Sequence, residues 1–351
     1  MELFAFVDAL ADDRDALVAR SREVLRGLGR DDDYLTLHLP FASRSPLANV
    51  QSSLPSGLET LQKTAVLEIH SPKARNALSG KMMAELADIV TLLEDPDVHD
   101  KLNAVVVRGT GGWFCAGADL RVAQQELTSR EAGAAMGALM VDTLTRFRRL
   151  PLVSIACIEG GAYGGGAELA TACDFRILEA NAVIQFVQVR MGVSPAWGGG
   201  ARLYKIVGRQ HALRLLCTAE KLSAQRALEL KLADFTFDAA TDGADAAICS
   251  FVTPFDAIAP AVSHGAKRVI NRADDVSLDA VLSYEHDVFK SLWGGPANLE
   301  ALEGALKKTK NERCCLDPPS RSVHQTSGLL VSGMLALINL FSNTKWAAWP
   351  V

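Results

Sequence analysis

Two glycine-rich turns constrain the fold of this chain more than any other feature of its sequence. The first reads Phe-Cys-Ala-Gly-Ala-Asp-Leu at residues 114–120 and follows an apolar stretch at 104–108. The second reads Gly-Gly-Gly-Ala-Glu-Leu at 164–169, follows an apolar stretch at 152–158 and opens a helical pattern. Turns without large side chains expose backbone N–H groups, and a helix N-terminus adds partial positive charge. Two such N–H groups aimed at one point would form an oxyanion hole.

Other interpretations of these turns stay open at this stage. A glycine-rich turn after a strand can bind a dinucleotide, but the spacing G-x-G-x-x-G that such a loop requires does not occur across residues 160–169. The second turn can also serve packing alone.

The remainder of the chain alternates between strand and helix patterns, which predicts βαβ units and a mixed α/β fold. Strands are predicted at 65–69, 104–108, 152–158, 174–178 and 182–186. Helices are predicted at 76–94, 130–149 and 167–173, and the region after 209 is mostly helical. Residues 1–30 have the pattern of an amphipathic helix, and 31–57, rich in Ser, Pro and Asp, resemble a linker or a draped arm.

Composition excludes several classes of protein. With 351 residues, 49% of them hydrophobic and 22% charged, the chain is long enough for two domains, or for one large α/β domain with appendages. The 36 basic and 41 acidic residues give a net charge of −5, so no global basic field favours nucleic acid as a partner.

Cysteine usage and the N-terminus predict a cytosolic protein. The seven cysteines contain no CxxC pair, which favours reduced, buried thiols over a metal site or a disulfide framework. Five acidic residues lie within the first fifteen, whereas import presequences are poor in acids and secretory signals need an uninterrupted apolar core.

Residues 327–341 are almost wholly apolar, but fifteen residues are too few for a bilayer span, which needs about 20. A helix docked on the body or in an oligomer contact is the preferred interpretation. A membrane-surface anchor and a disordered tail stay open, and the scarcity of positive charge weakens the anchor.

Four motifs together resemble the crotonase (enoyl-CoA hydratase/isomerase) superfamily: the two turns, Arg-Asn-Ala-Leu at 75–78, and Cys-Asp-Phe-Arg at 173–176. The resemblance covers about residues 60–310. It implies an α/β spiral of repeated ββα units, a C-terminal helical region that builds a homotrimer or hexamer, and an acyl-CoA substrate. The domains expected on this basis are an N-terminal extension (1–57), the spiral core (58–245), the C-terminal helical region (246–312) and an apolar tail of unknown role (313–351).

The resemblance also implies roles for individual residues. Ala116 and Gly165 would supply the two oxyanion N–H groups, and Glu168 would lie beside the reacting carbon. The residues expected along the CoA moiety are Lys73, Arg75, Ala77, Asp119 and Leu120.

A second acid distinguishes the hydratases of this superfamily, and here its place is taken by Gln188. A neutral amide cannot act as a general base for water addition, so ordinary hydratase activity is disfavoured.

Three more stretches, at 142–152, 191–199 and 292–300, resemble a branch of the superfamily that removes CO₂ from ethylmalonyl-CoA, which we expect to extend to methylmalonyl-CoA. Loss of CO₂ leaves a thioester enolate, which the two N–H groups would stabilise. Pro195 and Trp197 would form walls of the acyl pocket, with Gln188 also against the substrate. Glu168 would donate the final proton or act electrostatically. No metal or organic cofactor is expected, because the thioester itself accepts the electrons.

Structural roles compete with these assignments. Glu168 could complement a helix dipole, Trp197 could be a core aromatic residue, and Asp119 could cap a helix. At the level of the protein, the alternatives are an enoyl-CoA hydratase or isomerase and a non-catalytic acyl-CoA-binding or RNA-binding relative, although the acidic charge disfavours RNA.

Overall fold

The computed structural model describes residues 2–314, so the apolar stretch at 327–341 lies outside the described residues. The strands are β1 (Tyr34–His38), β2 (Val50–Gln51), β3 (Thr64–His70), β4 (Ala104–Gly109), β5 (Val153–Ile158), β6 (Gly161–Tyr163), β7 (Phe175–Glu179), β8 (Val183–Gln185), β9 (Leu222–Ser223) and β10 (Phe235–Phe237). The helices are α1 (Phe6–Ala9), α2 (Arg14–Arg26), α3 (Gly80–Leu93), α4 (Pro96–His99), α5 (Leu120–Glu126), α6 (Arg130–Arg149), α7 (Gly165–Ala172), α8 (Gly199–Thr218), α9 (Ala224–Glu229), α10 (Gly243–Asp256), α11 (Pro260–Ala273), α12 (Leu278–Leu292) and α13 (Pro296–Cys314).

Two sheets organise the described chain. The larger has seven strands in the order β10-β7-β5-β4-β3-β1-β2, and its strands from β3 to β10 are parallel to one another. The smaller has the order β6-β8-β9. β4 is buried on both faces, as expected for a parallel strand covered by helices on each side. The predicted strands at 65–69, 104–108 and 152–158 are therefore confirmed as the centre of the larger sheet.

The N-terminal region differs from its prediction. Residues 2–30 contain two α-helices, α1 and α2, rather than one, because Asp13 accepts a hydrogen bond from the N–H of Ala16 (3.0 Å) and so caps a new helix. Residues 34–38, predicted as part of a linker, form β1, which pairs antiparallel with β3. Leu35 and Leu37 are buried in this strand, and the short run was obscured in the sequence by its aspartate-rich flank.

Amphipathic helices close the core on both sides of the sheet. α3 and α6 begin at serine caps, where Ser79 accepts from the Met82 N–H and Ser129 accepts from the Ala132 N–H. The larger apolar cluster joins these helices to the buried side chains of β1 and β3, and a smaller cluster lies between the opposite face of the sheet and α10. Residues 1–298 form one compact unit, and the helix α13 continues beyond it.

The described cysteines fit the prediction of mostly buried thiols. Cys115, Cys157 and Cys173 are free and buried, whereas Cys217 is exposed. Burial raises the pKa of Cys115 and of Cys173 to about 12, which suppresses their thiolate forms.

Within residues 2–314, no single helix combines the length and apolarity of a membrane span. The bent pair α10 and α11, which meet at 96°, passes the same test only when the two are taken together.

Candidate active site

Strand pairing brings the two glycine-rich turns side by side. Cys115 forms a parallel bridge with Ala162, the middle residue of β6. The two backbones therefore run side by side into the two turns. A Cβ built on Gly117 would lie 2.9 Å from the backbone nitrogen of Gly165, so only glycine allows the two turns to approach this closely. Gly117 also has a φ of +94°, which a side chain would strain.

The N–H group that the first turn offers is that of Ala118, and the prediction of Ala116 is wrong. The Ala116 N–H donates to the carbonyl of Arg75 (3.0 Å) and is therefore occupied. Ala118 forms a parallel bridge with Leu78, but the hydrogen bonds of this bridge are made by the two neighbours of Ala118. The Leu78 N–H donates to the carbonyl of Gly117, and the Asp119 N–H donates to the carbonyl of Leu78. In such a bridge the N–H of the bridging residue points away from its partner, and within residues 2–314 the Ala118 N–H has no acceptor.

Gly165 begins α7, so its N–H is one of the donors that a helix leaves unpaired in its first turn. No acceptor for it lies among the described residues. Trp197, which is 3% exposed, lies against this glycine, and a Cβ at Gly165 would be 2.4 Å from the indole Cζ3. Trp197 thus belongs to the apolar core and at the same time forms the wall beside a predicted oxyanion donor.

Glu168 projects from the first turn of α7 and is 2% exposed. Its Oε2 accepts from the N–H groups of Trp197 (2.9 Å) and Gly199 (2.8 Å). Its Oε1 accepts from the amide of Gln188 (2.8 Å) and the N–H of Ala196 (3.3 Å). All four partners are N–H donors, so both carboxylate oxygens are fully hydrogen-bonded, and the carboxylate stabilises the start of α8 as well as its own helix.

Gln188 is the side-chain hydrogen-bond partner of Glu168. Its Nε2 donates to Glu168, whereas its Oε1 is buried and is among the few buried side-chain atoms of residues 2–314 that lack a partner. A buried acceptor left empty costs about 1–3 kcal/mol, so this oxygen favours a donor brought in by a ligand or a water.

Arg202 lies behind the segment 196–199. Its Nη2 donates to the carbonyls of Trp197 (2.7 Å) and Glu168 (3.1 Å), and its Nε donates to the hydroxyl of Thr171 (3.2 Å). Sequence reasoning did not single out this residue. Nothing in the local sequence indicated that this arginine, four residues after the Trp-Gly pair, would hydrogen-bond to the carbonyls of both Glu168 and Trp197.

Three residues expected along CoA lie in one loop at the end of β3. Lys73 is 78% exposed, and its Nζ lies 3.2 Å from a carboxylate oxygen of Asp32 in the N-terminal region. The guanidinium of Arg75 lies over the indole of Trp113, 4.7 Å from the ring centroid, a cation–π contact that the sequence did not predict. Ala77 is buried. Contact of these three residues with CoA stays a prediction.

Asp119 and Leu120 follow the first turn directly. The Asp119 carboxylate caps α5 by accepting from the Arg121 N–H (2.9 Å), which is the structural alternative raised by the sequence, and its side chain is 6% exposed. Leu120 is 61% exposed at the start of the same helix. Pro195, expected as a pocket wall, is half-buried just before the segment that binds Glu168. Contact of Asp119 and Leu120 with CoA, and of Pro195 with the acyl group, stays a prediction.

Comparison with known proteins gives a consistent result. The model of the enoyl-CoA hydratase/isomerase family matches residues 59–300. The chain is 42% identical over 263 residues to an ethylmalonyl-CoA decarboxylase of Danio rerio, covering 73% of this chain and 86% of that protein. It is 39% identical over 246 residues to the Mus musculus protein of the same name, covering 70% and 75%.

Solved structures carry the same fold. An enoyl-CoA hydratase from Bacillus anthracis superposes with a TM-score of 0.66 at 27% identity, over 70% of this chain and 93% of that one. An enoyl-CoA hydratase from Polaromonas sp. JS666 gives a TM-score of 0.63 at 30% identity, over 70% and 95%. The expected crotonase-like α/β fold, with its helical C-terminal region, is confirmed.

Proposed function

The chain belongs to the enoyl-CoA hydratase/isomerase family, and from this we propose that it decarboxylates ethylmalonyl-CoA, and also methylmalonyl-CoA, to the acyl-CoA and CO₂. The relatives named above support the reaction. The observation that carries it within this chain is the pair of unpaired N–H groups, Ala118 and Gly165, on two turns held against each other. This pair is the oxyanion hole of the proposed mechanism.

In that mechanism the bond between C2 and its carboxylate breaks, and its electrons move into the thioester, forming an enolate. The enolate oxygen accepts hydrogen bonds from Ala118 and Gly165, each worth roughly 10²–10³ in rate by analogy with other oxyanion holes. Carbon dioxide leaves, and C2 then takes a proton. No metal or organic cofactor is required, because the thioester carbonyl holds the developing charge.

Glu168 acts in this proposal through its charge and its contacts rather than as the proton donor. All four hydrogen bonds to the Glu168 carboxylate come from N–H donors, so an O–H on either oxygen would face one of those donors instead of the substrate. It instead fixes Trp197 against Gly165, which shapes the pocket around the enolate. The proton at C2 comes from a water, and the hydroxide left behind takes a proton from solvent. The Oε1 of Gln188 is an acceptor that can hold such a water.

A second candidate is enoyl-CoA hydration or isomerisation, favoured by Glu168 and by the hydratases of similar fold. It is disfavoured by Gln188, because the amide can neither take a proton from water nor release one. A non-catalytic acyl-CoA-binding protein is the third alternative, and binding without turnover distinguishes it.

We assign the active protein to the cytosol as a homotrimer or a hexamer. Large apolar side chains are exposed along the C-terminal helices, among them Ile270 (66%), Leu278 (71%), Phe289 (53%) and Trp293 (60%). Clusters of this kind are typical of protein interfaces. Sedimentation equilibrium of the full chain tests the assembly, and a monomer at micromolar concentration contradicts it.

The deciding experiment incubates the full chain, dialysed against a chelator, with ethylmalonyl-CoA and follows butyryl-CoA by mass spectrometry. Crotonyl-CoA in a parallel reaction reports hydration, and equilibrium binding of ethylmalonyl-CoA is measured on the same preparation. Butyryl-CoA formation without hydration is expected. Hydration without decarboxylation supports the second candidate, and binding without any product supports the third.

A further inference from the structure

A cavity of about 310 Å³ lies behind the active-site segment, between α6, the start of α8 and the end of α11. Its charged lining residues are Arg148, Arg149, Arg202, Lys205, Asp274 and Asp275. Four cations and two carboxylates leave a net lining charge of +2. The volume is at the lower end of the range for ligand pockets, about 300–1,000 Å³, which favours a small occupant.

The charges at the rim are already paired, whereas one buried charge is not. Arg148 donates to Asp274 (2.9 Å), Arg149 donates to Asp275 (3.0 Å), and the Lys205 ammonium lies 3.5 Å from Asp274. Arg202 is only 9% exposed, and its Nη1 has no hydrogen-bond acceptor among the described residues. Gly198, which also lines the cavity, has its ideal Cβ position 2.7 Å from this Nη1, so the nitrogen lies at the cavity wall.

The electrostatics of Arg202 favour binding of an anion in this cavity. The pKa of its guanidinium is lowered to about 10, chiefly by burial and also by the charge of Arg148, against the opposing effect of the Glu168 carboxylate. A guanidinium does not lose its proton at neutral pH. Arg148 and Arg202 both line the cavity, so an anion there would be attracted by both charges.

We propose that this cavity is a binding site for a small dianionic oxyanion of the phosphate or sulfate class, held by Arg202, Arg148 and Lys205. Guanidinium groups present several donors that match the oxygens of such ions. The site is separate from the proposed substrate site, because Arg202 reaches the Glu168 contact from behind, through the carbonyls of Glu168 and Trp197. The occupant thereby steadies the segment that carries Trp197.

The test measures sulfate and inorganic phosphate binding to the full chain by calorimetry, with chloride at equal ionic strength as the reference. We expect saturable binding at one site and a thermal stabilisation that chloride does not give. Arg148→Met and Lys205→Met should each weaken the affinity at least about tenfold, since each removes a charge-assisted hydrogen bond.

The control is Arg146→Met, on the same helix as Arg148. Arg146 pairs with Glu94 and Asp142 and does not line the cavity, so its loss should leave sulfate affinity unchanged. The use of two cavity variants keeps the test decisive if one of them does not fold. Absence of sulfate-specific binding, equal weakening in all three variants, or displacement of sulfate by coenzyme A would each overturn the proposal, the last because the phosphate would then belong to the substrate.

Discussion

A buried charge lies on each side of the segment 196–199, at its front and at its back. The two charges differ in how completely they are hydrogen-bonded. At the front, the Glu168 carboxylate accepts from four N–H donors, one of them the Gln188 amide. At the back, the Arg202 guanidinium donates to the carbonyls of Glu168 and Trp197 but leaves its Nη1 unpaired beside a cavity. A buried charge with all its hydrogen bonds made holds the surrounding backbone in place. A buried charge with an unpaired N–H is still stabilised by binding a ligand.

The largest effect is expected at the front, from Gly165→Pro. Proline is tolerated at the first position of a helix, so α7 can persist, but the oxyanion N–H is lost. Both proline and alanine add a Cβ against Trp197, and only alanine keeps the N–H. Steady-state kinetics should therefore give a kcat roughly 10²–10³ lower for Gly165→Pro than for Gly165→Ala. Equal kcat values would remove this N–H from the mechanism.

Gly133→Ala is the control for the added methyl group. Gly133 lies in α6 with nothing within 4 Å of its ideal Cβ position, so alanine should leave kcat unchanged and stabilise the fold by about 0.4–1 kcal/mol.

Glu168→Gln removes the buried carboxylate charge at the front of the segment. The amide keeps the shape, but its NH₂ group would face N–H donors, so we expect unfolding free energy to fall by about 1–3 kcal/mol. The expected fall in decarboxylation rate is about 10²-fold, because Trp197 is no longer held in place against the oxyanion site. Denaturant melts and single-turnover rates measure the two effects separately. Glu94→Gln, at a carboxylate that is 39% exposed, is the control. A kcat within about threefold of wild type contradicts the assignment of Glu168.

Gln188→Glu places a second carboxylate within hydrogen-bond distance of the first. Two buried carboxylates 2.8 Å apart must share a proton, so one of them titrates at a raised pKa. Decarboxylation should fall and become dependent on pH, and slow hydration of crotonyl-CoA should appear. Gln188→Met, which cannot ionise, should lower decarboxylation without any hydration. Hydration by the unmodified protein is the result that counts against the decarboxylase proposal.

Arg202→Lys tests the back of the segment and has the smallest expected effect. A lysine ammonium lacks the planar fork that serves two carbonyls at once, so stability should fall by about 1–2 kcal/mol and kcat by a few-fold. The exposed Arg209→Lys on the same helix is the control. A loss of kcat as large as that from Glu168→Gln would show that both sides of the segment contribute equally to the chemistry.

The sequence alone determined which segments carry the site. Apolar runs predicted β3, β4 and β5, and small residues after strands predicted the two turns, because these are local properties of the chain. The sequence also shows directly that position 188 is an amide and position 168 an acid.

Only the tertiary structure decided which donors and acceptors of those segments are free. Ala116 and Ala118 are the same residue type two positions apart, and what separates them is the carbonyl of Arg75 and the bridge to Leu78. The hydrogen bonds to the Glu168 carboxylate come from backbone N–H groups 28 to 31 residues away. The Nη1 of Arg202 is unpaired because α6 and α11 leave a cavity beside it. A hydrogen-bond partner is set by packing between distant segments, and a local pattern does not encode it.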